Sequence, residues 1–360
     1  MKKVVVSGYY GFNNIGDDAM IETFSKYFLE NDIDATFLSK NPDQTNKKYN
    51  VKSVSRDKLG SIIKTIKNSD ILISGGGTLL QDITKVISIW YYLIIILIGL
   101  IYKKQVYILF QGIGPINNKF NVWLTKKILK KVNYIILRDQ KAFDEMKRLG
   151  FDTTKTIVAT DVVFAMQIPK VDDSINLIKK YIPEFNQENK YIGVSLRPWK
   201  EYSDIDKFAK LLDEVSKKYN AKIVFFPFHK SQDYDFSIKV KEKMKEESHI
   251  IFDDLLPSEL AGMMSLMYLN IGVRLHSLVF SVIGKVPVAG ISYDPKVDGF
   301  LKEFSLEPIC RYENFNIDEA IKNIDKEIDK NLNEEISKKV EENKLLVIDI
   351  LNKLMEGKYE

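Results

Sequence analysis

At 360 residues the chain is long enough for two domains with separate cores. Its 45% hydrophobic and 28% charged residues exclude a disordered or fibrous chain, and a net charge of only +4 argues against a dedicated nucleic-acid binder. The one cysteine, Cys310, excludes an internal disulfide and a cysteine zinc site and fits a reducing cytoplasm, while His229, His249 and His276 lack metal-ligand spacing, so a structural metal is not expected, a site built from carboxylates alone is left open, and no resident cofactor is assigned.

From the start, MKKVVVSGYYGF breaks its apolar run at Ser7-Gly8, too early for a secretory signal, and no export is expected. Strand-like runs then recur between amphipathic stretches: KKVVVS, ATFLS, DILIS, QVYILF, NYIILR and KTIVA, followed by YIGVSL, AKIVFFPF, HIIF, LNIGV and PVAGIS. This alternation predicts βαβ units and parallel sheets, in two blocks. The expected domains are 1–168 and 174–316, joined by the proline-marked stretch Ile168 to Asp173, with a Lys/Glu/Ile-rich helical tail over 317–360. Within the first block, Val86 to Tyr102 is seventeen residues without a charge. It is just short of a bilayer span and is read as a helix whose faces must be covered by protein or lipid.

Glycines cluster where strands give way to helices: SGYYGFNNIGDDA, SGGGTLLQD and QGIGP. Such loops let backbone N–H groups approach an anion or a sugar, although none has dinucleotide or P-loop spacing. Cations sit at the helix starts. Arg138 precedes the cap Asp139, Arg274 and His276 open the helix HSLVFSVIG, and Lys296 follows the cap pair Asp294-Pro295. A positive charge there opposes the helix dipole, so repeated placement suggests a compensating anionic ligand, or else neighbouring carboxylates. Arg197 in SLRPW and His229 in FFPFHKSQD also follow strands and either contact a ligand or serve locally. Asp17 and Asp18 cap the first helix or meet a sugar hydroxyl.

Taken in order, GYYGFNNIGDDA, SGGGTLLQD, QGIGP, LRDQKAFDEMKRLG, GVSLRPW, PFHKSQD and GVRLHSLVFSVIGKVPVAGISYDPKV resemble the polysaccharide pyruvyl transferase family, CsaB-like members above all, from about residue 3 to 305. The resemblance implies an α/β fold of two Rossmann-like domains facing across a cleft, as in the glycosyltransferase B architecture. It implies transfer of pyruvate from phosphoenolpyruvate, a co-substrate, to the β-N-acetylmannosamine of a lipid-linked cell-wall precursor as a 4,6-ketal, at the inner membrane face. Arg138, His276 and Lys296 fall on the family's donor-binding and catalytic positions, and Arg274 joins them as a donor-binding residue, Arg138 coming from the first domain and the others from the second. Asn14, Asp17, Asp18, Gly76, Gly77, Gln81, Arg197 and His229 are the acceptor-side candidates. Asn14, Asp18 and His229 depart from the residues commonest in the family at those places.

The residue types suit the chemistry. Phosphoenolpyruvate carries a phosphate and a carboxylate that guanidinium groups can pair with, and protonation of its methylene requires an acid, for which His276 is the best available group. A nucleotide-sugar glycosyltransferase of the same architecture is the alternative, but the helix from His276 to Gly284 has no acid to hold a ribose. A non-catalytic sugar-binding role would leave the cations unexplained.

Overall fold

Short β-branched runs with no polar face suit strands covered on both sides, and in the computed structural model those runs form strands. It describes residues 1–83, 85–199, 204–331 and 334–358. The chain opens as β1 (Lys3–Ser7), α1 (Ile15–Glu30), β2 (Asp34–Ser39), α2 (Pro42–Tyr49), β3 (Lys52–Ser55), α3 (Leu59–Lys67) and β4 (Ile71–Gly75). It continues with α4 (Ser88–Ile101), β5 (Gln105–Gln111), α5 (Lys119–Leu129), β6 (Tyr134–Leu137), α6 (Gln140–Arg148) and β7 (Thr156–Val158). All seven strands are parallel, in the order β3-β2-β1-β4-β5-β6-β7.

A second parallel sheet follows α7 (Val171–Ile178) and is built from β8 (Lys190–Ser195), α8 (Ile205–Tyr219), β9 (Ala221–Phe225), α9 (Gln232–Lys243) and β10 (Ser248–Ile250). Next come α10 (Pro257–Met264), β11 (Leu269–Gly272), α11 (Leu275–Ile283), β12 (Val288–Ser292), α12 (Pro295–Glu303) and β13 (Cys310–Arg311). The order is β10-β9-β8-β11-β12-β13. Two α/β Rossmann-like sheets are therefore present. The expected strands all form, and β3 and β13 join them as edges. KSVS at β3 is polar and only half-buried, and β13 is two residues long, so neither has the apolar run that marks an interior strand.

The first compact unit comprises Met1–Asn13, Asp17–Met166 and Asn343–Glu360, and the second comprises Asn14–Gly16 and Gln167–Glu342. Of the proline-marked stretch, Val171 to Asp173 open α7. The tail forms α13 (Ile317–Asn331), packed on α8 and β12, and α14 (Glu334–Met355). The end of α14 is tied into the first unit, where Lys2 Nζ donates to the Met355 carbonyl at 2.6 Å and Tyr27 Oη to Asn352 Oδ1 at 2.8 Å.

The apolar run becomes α4, three residues shorter than Val86 to Tyr102, with Ile87 and Tyr102 as its caps, and no described helix is long and apolar enough to cross a membrane. One face enters the core: Ile89, Leu93, Ile95 and Ile96 are buried, and a Cβ on Gly99 would lie 2.5 Å from Leu72 Cδ2 of β4. Glycine thus lets the helix approach the sheet at this point. The other face is exposed at Trp90, Ile94, Leu97 and Ile101. Asp82, 7% exposed, fastens the loop before α4 to the start of α5. It accepts from Asn117 N at 2.8 Å, Asn118 N at 2.9 Å and Asn121 Nδ2 at 3.0 Å.

Burial alone would raise the Asp82 pKa, but these N–H donors more than offset it and hold the carboxyl below its ordinary value. A lowered folded pKa stabilises the fold above the unfolded value of about 3.9, and that contribution is lost as pH falls through the folded value. Asp82→Ala is expected to cost about 3 kcal/mol at neutral pH, since each hydrogen bond to a charged acceptor contributes roughly 1.5–3 kcal/mol with partial compensation by water. Thermal unfolding should show a deficit that narrows in acid, and an unchanged melting temperature at pH 7 would contradict the assignment.

Candidate functional site

In a parallel sheet every strand ends at the same edge, and the strand order reverses direction between β1 and β4 in the first sheet and between β8 and β11 in the second. Ligands bind such sheets beside these switch points, outside the carboxyl ends. The residues selected from the sequence lie on the loops that leave these ends.

In the first unit, Gly8, Gly75 and Gly112 mark the ends of β1, β4 and β5. Gly76 and Gly77 have φ of 76° and 64°, a conformation that side chains resist, so the loop after β4 needs glycine twice. A Cβ on Gly76 would strike Met20 Sδ at 2.0 Å, and one on Gly77 would stand 3.4 Å from Asp17 Oδ1. Asp17 therefore lies beside the second glycine loop; Asp18, its neighbour in the first turn of α1, is buried. Gln81 closes the loop, its side chain accepting from Ile83 N at 2.8 Å.

Arg138, one residue past β6, reaches the same loops. Its Nη2 lies 3.4 Å from Thr78 Oγ1 and 3.2 Å from where a Cβ on Gly112 would be. It is paired with Asp139 at 3.3 Å and Asp161 at 3.6 Å, its own side chain 10% exposed. Burial opposes the charge, yet the two carboxylates outweigh it and raise the guanidinium pKa. The sequence expectation of Asp139 as the cap of α6 holds, with its Oδ1 accepting from Ala142 N at 2.8 Å.

In the second unit the cations gather at the carboxyl edge in two groups. Arg197, after β8, donates from Nη1 to Tyr293 Oη at 3.0 Å, and its guanidinium lies 5.1 Å from the Trp199 ring centre and 4.9 Å from that of Tyr293. Lys296 Nζ is 5.7 Å from the same tyrosine ring, at the first turn of α12, where Asp294 Oδ1 accepts from Lys296 N at 2.9 Å. Arg197 thus stacks on aromatics and borders Lys296. The second group holds Arg274, His229 and His276. Arg274 commits its Nε–Nη2 edge to Asp233, at 2.7 and 2.6 Å, and Asp233 is wholly buried.

His276, in the first turn of α11, sits against Gly16, where a Cβ would fall 2.2 Å from Nδ1. Asn14 to Gly16 is stitched to the loop after β9: Asn14 bridges His229, and Ile15 N donates to the Phe228 carbonyl at 3.0 Å. Asn14 Oδ1 accepts from Gly16 N at 3.2 Å. The NNIG segment thereby provides the surface on which His276 rests.

Sequence reasoning missed Asp161, Asp233, Thr78 and Tyr293. Asp161 has a local signature, since it caps the short 3₁₀ turn Val162–Ala165. Asp233 does not, because it lies in the first turn of α9, far along the chain from Arg274. Elsewhere among the described residues, Glu184, Glu247 and His249 have ligand-type atoms within 4.8 Å of one another, but Lys222 Nζ already occupies Glu247 Oε1 at 2.7 Å. That group stands where β10 begins, at the other edge of the sheet from the cations.

Two outcomes are expected. Gly16→Ala must displace the imidazole of His276, because the clash is with a ring held at its base rather than a flexible tip; turnover should fall by about tenfold or more while the melting temperature changes little. Normal turnover would show that the ring position does not matter. His229 should titrate below about 6.5, the ordinary value: burial lowers its pKa first, Arg274 and Arg197 add to this, and Asp233 opposes them. Folding then favours the neutral ring, a contribution complete above the unfolded pKa and lost as pH falls below it. Arg197→Gln should raise the His229 pKa in an NMR titration, and a lower value would contradict this geometry.

Comparison with known proteins accords with the architecture. Residues 14–295 match the model of the family described as polysaccharide pyruvyl transferase. The amylovoran biosynthesis protein AmsJ of Erwinia amylovora is 23% identical over 264 residues, covering 67% of this chain and 61% of that protein, so the chain spans less than two thirds of this relative. Among solved structures, the UDP-GlcNAc 2-epimerase of Methanocaldococcus jannaschii aligns over 99% of this chain and 100% of its own, with a TM-score of 0.66 at 15% identity. Anabaena Alr3699/HepE, solved with UDP and glucose, aligns over 99% and 100% with a TM-score of 0.62 at 9% identity. At these identities the structural likenesses establish the fold alone, a glycosyltransferase B-like pair of Rossmann-like domains. With its motifs in order and the family match extending over most of its length, the chain belongs to the polysaccharide pyruvyl transferase family.

Proposed function

We propose that this protein moves a pyruvyl group from phosphoenolpyruvate to the β-N-acetylmannosamine of a lipid-linked cell-wall precursor, forming a 4,6-ketal and releasing inorganic phosphate. The observation that carries the reading is the set of cations at the carboxyl edges of both sheets. Arg138 stands at the glycine loops of the first unit, and Arg197, Arg274, His276 and Lys296 stand on the loops and first helical turns that follow the strands of the second. Helix α11, which follows β11, has no carboxylate from Leu275 to Ile283, which favours a small anionic donor over a nucleotide.

In this mechanism a proton from His276 goes to the methylene carbon of phosphoenolpyruvate, and C2 becomes oxocarbenium-like. One sugar hydroxyl adds there, its proton passing to a base and thence restoring the acid; the second then displaces phosphate, which carries away that hydroxyl's proton, and closes the ring. Arg138 and Lys296 offset the charge of the carboxylate and the departing phosphate without needing a cofactor. Arg274, its inner edge held by Asp233, acts by fixing the start of α11 on which His276 sits. Asn14, Asp17, Asp18, Gly76, Gly77, Gln81, Arg197 and His229 are assigned to the acceptor side. The lipid on the acceptor places the enzyme at the inner face of the membrane.

Incubation with phosphoenolpyruvate and a synthetic lipid-linked disaccharide should yield a sugar heavier by one ketal-linked pyruvate in mass spectrometry. Phosphate release without that product would refute the acceptor. His276→Gln should retain donor binding and lose turnover by about 10²-fold or more. Arg138→Lys, which keeps a cation beside Asp161, should weaken binding of phosphoenolpyruvate, and a melting temperature raised by a nucleotide sugar but not by phosphoenolpyruvate would favour the glycosyltransferase reading.

A further inference from the structure

The apolar run in the first unit forms only part of an exposed surface. Ile87, Trp90, Ile94, Leu97 and Ile101 recur at intervals of three and four, so they form one stripe on α4, and all are at least 39% exposed. The stripe extends about 21 Å along the helix at the usual rise. It is widened by α5, where Phe120 and Trp123 are 53% and 54% exposed. The aromatics adjoin: ring centres are 6.1 Å apart for Trp90 and Phe120 and 5.7 Å for Phe120 and Trp123.

The hydrogen bonds beneath hold this arrangement. Trp90 Nε1 donates to Asn121 Oδ1 at 2.8 Å, Asn121 Nδ2 donates to the Val86 carbonyl at 2.8 Å and to Asp82, and Asp82 holds the start of α5. The two helices are thereby fixed with their apolar residues outward. Monomeric proteins seldom leave so large a contiguous apolar face uncovered.

Charge identifies what covers it. From Lys85 to Lys131 there are eight lysines and no aspartate or glutamate, a net +8, so the remainder of a chain of net +4 carries −4. Lys85, Lys103, Lys119, Lys126 and Lys127 are exposed, and Lys127 follows Phe120 and Trp123 on the same face of α5. A second copy of this face would bring like charges together. A bilayer with anionic headgroups would neutralise them while accepting the Ile, Leu, Trp and Phe side chains below the headgroup level.

We infer that the outer faces of α4 and α5 form a docking surface for anionic phospholipid membranes, entered to interfacial depth without spanning. The inference gives the membrane-side placement in the proposed function a surface and a headgroup chemistry, but stands on the surface residues and needs no assumption about the reaction.

The full chain should sediment with phosphatidylcholine vesicles containing about 30% phosphatidylglycerol, and the binding should weaken strongly near 0.5 M salt, where the Debye length falls to about 4 Å. Tryptophan emission should shift to the blue on binding, a shift reduced by Trp123→Ser. Ile94→Ser with Trp123→Ser should lower partition about tenfold or more, and Lys119→Glu with Lys126→Glu and Lys127→Glu should do likewise, with melting temperatures within a few degrees of the parent. Failure to bind anionic vesicles would overturn the inference, as would equal binding to neutral ones or a dimer that Trp123→Ser dissociates. Pyruvyl transfer to a lipid-free acceptor should be unaffected by these variants, so its absence would count against the reaction and leave the docking surface standing.

Discussion

The arrangement depends on the one-way direction of the strands. When all strands of a sheet run parallel, each crossover returns the chain by a helix, and every strand ends at the same edge. Residues distant in sequence are thus delivered to one line of loops without further specification. Thr78 and Arg138 meet in this way in the first unit, and Arg197, Arg274 and Lys296 share the edge of the second. Each helix that leaves this edge begins there, with its N–H groups and the positive end of its dipole. A cation at the same place is opposed by that dipole unless something negative is near. The fold is accordingly suited to anions, and the cations add charge where it already favours them.

The cations differ in how they are held, and this separates their roles. Arg274 is locked to wholly buried Asp233 by two hydrogen bonds, and removing either partner would leave the other charge buried alone. Such an arginine positions its helix. Arg138 also has carboxylate partners, but at 3.3 and 3.6 Å, longer contacts that leave it beside the glycine loops. Arg197 and Lys296 are arranged around Tyr293, where aromatic faces support a cation without neutralising it.

The glycine motifs act by the room they leave. Gly16 makes space for the His276 ring, and Gly99 lets α4 lie close to Leu72 of β4. Both lie in helices, where glycine costs about 1 kcal/mol relative to alanine, so close approach offsets a local loss. In the case of Gly99, the approach turns one side of an otherwise apolar helix into the core and leaves the stripe from Ile87 to Ile101 outward.

What the sequence determined by itself was local: alternating apolar runs specified buried parallel strands, and Asp139, Asp294 and Pro295 marked helix starts to within a residue, because a cap acts over a single turn. The positions of Arg138, Arg274, His276 and Lys296 were legible for the same reason. The edge strands β3 and β13 were not, since an edge is recognised by a neighbour's unpaired backbone and not by its own apolar pattern. Nor could local pattern pair Arg274 with Asp233 or place Phe120 and Trp123 beside Trp90. Those contacts join separate helices, and only the packing of each helix onto its sheet decides which of its faces meets a neighbour and which is left to solvent or lipid.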